Sequence, residues 1–303
     1  MSRLLKKGLR FCAGALMIGL LVGCEEKKAA LPVSYDLPQY QVYGDGDFEF
    51  DYGCYFNENG ILKFTDKKSG KTVVVSNEPD KVEKTSENPA YIGDASFVFM
   101  NGETLYCVSR DMSNNEIRIE KSGANRSDIK KISSHAGMQV CNYVRIKDSI
   151  YFFISSPVAK ENPETGIPEY TGEGKSELMR LDLKTDQVEF TGVVLSGMNG
   201  EAIIFGGEGN NLYYFMYEIV NNEYVVTLQK KDMNDLQSQS VEIKKLIGNR
   251  IGFTFMKEDT IYYQLYEEDN SISLFSYDMS SGETKQLESS EELAAWFRNY
   301  GRE

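Results

Sequence analysis

Histidine occurs once in this chain of 303 residues, as His135, and tryptophan once, as Trp296. One imidazole leaves too little for a multi-histidine metal centre. The five cysteines include no C-x-x-C pair, so the strong zinc signal is missing too. Positive charge is also scarce: 33 Lys and Arg stand against 46 Asp and Glu, a net charge of −13. Such a surface repels nucleic acid and anionic headgroups, and nucleic acid is excluded as a partner. Ser133 and Ser134 adjoin His135, but no G-x-S-x-G elbow is present, so a serine triad is rejected and His135 reads as a solvated loop residue. The glycine-rich FGGEGN (205–210) lacks the P-loop lysine and reads as a turn. No catalytic constellation or cofactor motif emerges, and no metal site is assigned.

Long apolar runs are absent except at the start. Arg3, Lys6, Lys7 and Arg10 precede an apolar stretch from Phe11 to Val22. A membrane-spanning helix needs roughly 20 apolar residues, and this run is shorter. It fits the h-region of a secretory signal peptide. Leu21-Val22-Gly23-Cys24 has the form of a bacterial lipobox. Gly23 is small enough to precede the cut, and the Cys24 thiol takes the lipid. One acyl chain anchors marginally, whereas two or three hold firmly. Residues 1–23 are therefore expected to be a signal peptide. Residues 24–38 are expected to be the lipidated cysteine and a flexible, polar, proline-containing linker. Residues 39–303 are expected to fold, on the extracytoplasmic face of the cell membrane. Of the remaining cysteines, Cys54, Cys107 and Cys141 are odd in number. Cys107 and Cys141 sit in strand-like apolar contexts, where a free thiol packs as a small hydrophobe.

The folded part is rich in Tyr and Phe and contains most of the 26 glycines, which favours strands and turns. It also repeats. TLYCVSR (104–110), SIYFFIS (149–155), NLYYFMY (211–217) and TIYYQLY (260–266) each follow a turn signal and alternate as strands do. Downstream of the last three, and also at 62–75, comes a second segment with Asp66, Asp182, Asp232 or Asp278 before a polar turn. There the carboxylate can accept a backbone N–H. The copy at 116–132 is degenerate, with Glu120 in the aspartate's place. A further strand precedes each aliphatic-Tyr strand. The unit is thus four strands, recurring at 40–80, 93–135, 137–196, 200–246 and 249–290. Such units point to an all-β fold, a β-propeller of about five four-stranded blades, because no such sheet hides its apolar face alone. A β-sandwich or an open stack of sheets is the alternative. The tail from Ser290 reads as a short C-terminal helix with Leu293, Trp296 and Phe297 on one face, able to dock on the ring.

Residues 62–91 carry Asp66, Ser69-Gly70-Lys71, Val73 to Val75, Asn77, Pro79, Asp80 and Ala90-Tyr91. In this pattern the chain resembles the predicted TolB-like β-propeller lipoproteins of Gram-positive anaerobic bacteria, which carry a domain of unknown function. The resemblance implies the fold and the address. That family's pattern has Cys, His and Cys where this chain has Lys81, Glu83 and Asn88, so any metal or disulfide role of the motif is not carried over.

Two stretches remain as site candidates. Asp45, Asp47, Glu49 and Asp51 alternate along GDGDFEFD, a set of oxygens for Ca²⁺. However, EF-hand spacing is absent and a solvated outer strand explains the pattern equally. PVAKENPETGIPEYTGEGKS (157–176) interrupts the third unit as a long loop. It is the candidate binding loop, with Tyr170 as anchor and Glu164, Glu169 and Glu173 as rim. The resulting expectation is a membrane-anchored, non-catalytic module that engages an envelope protein, peptide or glycan. The alternatives are an envelope glycoside or peptidoglycan hydrolase or lyase with carboxylates assembled from several blades, and a purely structural envelope protein. Paired carboxylates across a channel would favour the enzyme. A channel plugged by apolar side chains would favour binding.

Overall fold

Each repeat closes on itself through turns that its sequence permits. Asn59 and Gly60, both at positive φ, form the two-residue turn of one hairpin. Asn-Gly suits that geometry because neither residue pays the usual steric cost there. Gly102, Lys147, Gly209 and Glu258 open the first-to-second strand turns of the later repeats, also at positive φ.

In a computed structural model the chain is described over residues 30–287, apart from 45–47, 82, 86, 112–113, 162–167, 199–201, 222, 248–249 and 267–270. The described elements are all strands. In chain order they are β1 (Val42–Tyr43), β2 (Phe48–Phe50), β3 (Gly53–Glu58), β4 (Ile61–Asp66), β5 (Thr72–Val74), β6 (Asp94–Asn101), β7 (Thr104–Asp111), β8 (Glu116–Gly123), β9 (Lys130–Ala136), β10 (Gln139–Ile146), β11 (Ser149–Glu161), β12 (Pro168–Asp182), β13 (Val188–Met198), β14 (Ala202–Glu208), β15 (Asn211–Val220), β16 (Glu223–Asp232), β17 (Val241–Ile247), β18 (Arg250–Lys257), β19 (Thr260–Tyr266), β20 (Ile272–Asp278) and β21 (Thr284–Leu287). They form antiparallel sheets β2–β5, β6–β9, β10–β13, β14–β17 and β18–β21, numbered here first to fifth, with β1 added on the free edge of β10.

Alternation along the second strand of each sheet shows how the sheets stack. Ile150 is buried with the second sheet, whereas its neighbour Tyr151 is buried with the fourth. Leu212 packs toward the third sheet and Tyr213 toward the fifth. Period-two side chains reach opposite faces, so the aliphatic-Tyr dipeptide joins a sheet to both neighbours. Each such side chain contributes about 1.5–3 kcal/mol when fully buried. Consecutive four-stranded meanders stacked through both faces make a β-propeller scaffold. The helix expected after Ser290 lies outside the described residues.

Residues 30–38, read from the sequence as part of a flexible linker, are packed against the sheets. The Ala30 N–H donates to Asp66 Oδ2 (3.2 Å), and Leu31 packs on the core. Tyr35 bridges Gly102, and its ring lies 4.6 Å from that of Phe50. Leu37 is 1 % exposed, and its carbonyl accepts a hydrogen bond from Arg145 Nη1. Tyr40 then donates its N–H to the Arg145 carbonyl (2.8 Å) and its hydroxyl to the Gly209 carbonyl (3.3 Å). Val42 and Tyr43 pair with Val144 and Tyr143. The segment therefore straps the turn ends of the first four sheets before entering as β1. The charged residues and prolines of this stretch hid the few apolar side chains, Leu31, Tyr35 and Leu37, that hold it.

Candidate binding face

The meander sorts its turns into two ends. First-to-second and third-to-fourth strand turns share one end, and the strap crosses it. Second-to-third strand turns lie at the other.

At the strap end, the repeat aspartates do the work expected of them. Asp66 Oδ1 accepts the N–H groups of Lys68 (2.8 Å) and Ser69 (3.3 Å). Asp182 accepts those of Lys184 and Thr185, both at 3.0 Å. Asp232 accepts that of Asn234 at 2.8 Å. Asp278 accepts those of Ser280 (2.9 Å) and Ser281 (2.8 Å) and the Ser280 hydroxyl (2.6 Å). At Asp66, Asp182 and Asp278 such bonds favour the ionised form, and the Asp278 carboxyl is drawn down to about 2, chiefly by the Ser280 hydroxyl. Glu120 does not occupy the equivalent place. Cross-strand pairing sets Asp66, Asp182, Asp232 and Asp278 opposite Gly53, Ser149, Asn211 and Thr260. The residue so placed in the second sheet is Gly123, opposite Thr104. Asn125 supplies the capping oxygen there, to the Ser127 N–H (3.2 Å). Glu120 instead pairs with the buried Arg126 (2.8 Å).

At the other end the strands are uneven. The stretch 157–176 is not a structureless loop: β11 and β12 run on as one hairpin, pairing from Ser149–Asp182 to Glu161–Pro168, with a register shift between Pro157 and Ala159. The prolines are accommodated because β10 stops at Gln139, opposite Ser155, so Pro157 lies past its reach. Pro168 opens β12, where a missing N–H is tolerated. With 13 residues in β11 against 8 in β7, the hairpin overhangs by about 17 Å at roughly 3.3 Å per residue. Glu169 and Tyr170 lie on β12 opposite Lys160 and Ala159, Glu173 lies exposed farther along β12, and Glu164 falls outside the described residues. The structure thus puts Glu169, Tyr170 and Glu173 on one strand. Nearby hairpins and strand ends present Val158, Val220, Tyr224, Ile247, Tyr266 and Ile272 as exposed apolar side chains. Sequence reasoning missed these, because alternation gives them the same pattern as core positions; only their place at strand ends marks them.

The other candidates fare as follows. Glu49 is paired with Lys67 (3.1 Å) and Asp51 lies exposed in a turn, while Asp45 and Asp47 are outside the described residues. Among the described residues no group of three His, Cys, Asp or Glu side chains is placed to hold a metal ion. His135 is on β9 rather than in a loop. It contacts Ser133 Oγ through Nε2, and burial lowers its pKa against the opposing pull of Glu177. Cys107 is a buried free thiol pushed up to about 11 by desolvation, which makes it inert. Asn88 Nδ2 donates to the carbonyls of Lys81 (3.1 Å) and Glu83 (2.9 Å), so these three positions converge through an amide clip. The second and third sheets are latched by Asp186, whose Oδ1 accepts the Tyr106 hydroxyl (2.8 Å) while Lys121 pairs with Oδ2. Asp186 occupies a turn position at positive φ, and no sequence signal marks its partner. Gly23 and Cys24 lie outside the described residues, and no described helix is long and apolar enough to cross a membrane.

No protein-family model matches the chain, and no curated protein matches it. Solved structures do. A Mycobacterium tuberculosis puromycin-hydrolyzing peptidase is similar at 13 % identity and TM-score 0.51, over 87 % of this chain and 43 % of that one. The cobalt-substituted Synechocystis ACO is similar at 7 % identity and TM-score 0.50, over 80 % of this chain and 59 % of that one. A TolB-type protein from Agrobacterium tumefaciens is similar at 9 % identity and TM-score 0.46, over 81 % and 80 %. This chain spans less than two thirds of that ACO and of the peptidase. At such identities the likeness concerns the fold alone: the chain is built on a β-propeller scaffold.

Proposed function

We propose that this protein is a membrane-tethered binding module, a five-bladed propeller held outside the cytoplasm by lipid on Cys24 after cleavage behind Gly23. It engages an envelope protein, peptide or glycan through its hairpin end and performs no catalysis. The observation that carries this reading is the filling of the inner strand edges. β1 occupies the free edge of β10, where Tyr43 stacks on Tyr143 at 5.3 Å and Phe97 lies 4.3 Å from Tyr143. Phe48 and Leu37 are buried in the same cluster. Aromatic packing there suits a rigid hub rather than a substrate channel. The hydrolase or lyase alternative draws nothing from the repeat aspartates, which accept turn N–H groups.

The strap adds an orientation. Five residues lie between Cys24 and Ala30, so the two are at most about 20 Å apart at full extension. A lipid on Cys24 would hold the Asp66 turn near the bilayer and leave the β11–β12 hairpin pointing away, with Tyr170 as anchor and Glu164, Glu169 and Glu173 around it.

Two experiments test this. Labelled fatty acid should enter the wild-type protein and be lost in Cys24→Ala. Capture from intact envelopes should recover a partner with wild type and lose it in Tyr170→Ala. Recovery of no partner, together with turnover in a glycan screen, would overturn the binding reading.

A further inference from the structure

Buried polar groups are normally hydrogen-bonded, and each exception needs a physical reason. Five buried side-chain polar atoms have no hydrogen-bond partner among the described residues. Three of these belong to β8 or the turn after it: Arg118 Nε, Ser122 Oγ and Arg126 Nη1. Arg126 is 2 % exposed. Its Nε donates to the Pro89 carbonyl (2.9 Å) and its Nη2 to Glu120 Oε2 (2.8 Å), which leaves Nη1 buried with both hydrogens unused. Arg118 Nε lies 3.0 Å from Glu120 Oε1, close enough for an ion pair but out of hydrogen-bond line.

These groups share one place. Arg118, Glu120 and Ser122 alternate along β8 and so project from one face. Arg126 folds back from its turn to reach Glu120, and along the chain Ser122 lies between the two. Opposite them on β7 stand Ser109, Cys107 and Leu105, all buried. Pro89 belongs to a segment bound to β4, where the Leu62 N–H donates to the Ala90 carbonyl (2.9 Å). The cluster therefore lies in the seam between the first and second sheets. Charge does not balance there. Two guanidiniums flank one carboxylate, and Cys107, pushed up to about 11 by burial, stays a neutral thiol. One positive charge is in excess, beside donors with nothing to donate to, and both conditions are costly in a buried site.

We propose that this seam binds one small monovalent anion, of halide size, held by Arg126 Nη1 and the Ser122 hydroxyl. The anion cancels the excess charge and accepts the unused hydrogens. Leu105 and Cys107 are 0 % exposed, so packing admits only a small occupant. The chain's net charge of −13 repels anions in general, which confines binding to this local excess. The bound ion ties the segment around Pro89 to β8, and with it the first sheet to the second.

Thermal unfolding of the full chain in detergent, followed by far-ultraviolet dichroism, reads the site. At constant ionic strength, replacing sodium gluconate with sodium chloride should raise the midpoint saturably, by a few degrees, because the ion binds only the folded state. Sodium bromide should do the same. The rise should be lost in Arg126→Met. In Ser122→Ala, which keeps both ion pairs and serves if Arg126→Met misfolds, the chloride concentration giving half the rise should increase several-fold. Crystals grown in bromide should show anomalous density against Arg126 Nη1. A midpoint indifferent to the choice of anion, the result a water molecule in the seam would give, would overturn the proposal. So would a half-point that Ser122→Ala leaves unmoved, or crystals without bromide density at Arg126.

Discussion

Leu37→Ala separates a strap from a tether. Leu37 is 1 % exposed and belongs to the cluster that includes Phe48, Tyr43 and Phe97. Truncating a buried leucine costs about 2–5 kcal/mol, the spread reflecting how far the site collapses. The strap has only one β-pair and a few backbone bonds to hold it, so it can relax, and about 2–3 kcal/mol is expected. With a urea slope of about 3 kcal/mol/M, at the top of the usual range, the unfolding midpoint falls by roughly 0.7–1 M. Val33 is the internal control: it is 79 % exposed in the same segment, and Val33→Ala should stay within about 0.5 kcal/mol. Urea titrations of wild type and both variants, followed by far-ultraviolet dichroism, read the difference. A Leu37→Ala midpoint matching that of Val33→Ala would show that residues 30–38 are a solvated linker after all.

Asn88 is 2 % exposed, and its amide holds the carbonyls of Lys81 and Glu83. Asn88→Ala removes the donor shared by two part-buried carbonyls, at about 1 kcal/mol per bond, and limited proteolysis should cut between 76 and 90 first; an unchanged digest would contradict the clip. The Tyr106–Asp186 hydrogen bond joins two sheets, so a cycle of Tyr106→Phe and Asp186→Ala should show a coupling of about 1 kcal/mol or more, and strict additivity would deny the latch. The Asp278 carboxyl sits at about 2 in the folded protein, below the unfolded value near 3.9. Its contribution is complete above about pH 4 and is lost as pH falls toward 2. Wild type and Asp278→Asn should therefore differ in stability at pH 6 and converge near pH 2, and a gap that widens on acidification would refute the assignment.

The repeat was legible because its alternation is strict. Leu105-Tyr106, Ile150-Tyr151, Leu212-Tyr213 and Ile261-Tyr262 set one side chain on each face of a stacked sheet, and the sheets follow the repeat units closely. The aspartate turns were legible for the same reason, since each carboxylate caps its own turn. Legibility failed where a local substitute took over a role. Gly123 and Asn125 share what one aspartate does elsewhere, so Glu120 seemed to fit. It failed again where composition masked pairing: Pro157 and Pro168 suggested a loop but fall where no N–H is needed, and the N-terminal segment looked solvated although Leu37 anchors it. Contacts between sheets, such as Asp186 with Tyr106, are set by stacking geometry and leave no mark in either segment. The apolar rim around Tyr224 and Tyr266 was unreadable because strand alternation looks alike whether its end is covered or open.

The most direct test of a tethered propeller that presents its hairpin end outward is energy transfer to the bilayer. The lipidated protein, with the half-buried Cys54 replaced by Ser, is labelled at Lys184→Cys on the strap end or Glu173→Cys on the hairpin end and placed in vesicles carrying an acceptor lipid. Glu173 lies on β12 and Lys184 in the turn just past its last residue, Asp182, with about 30 Å of strand between them at roughly 3.3 Å per residue. The account predicts markedly stronger transfer from position 184 than from 173; equal transfer, or the reverse order, would contradict it.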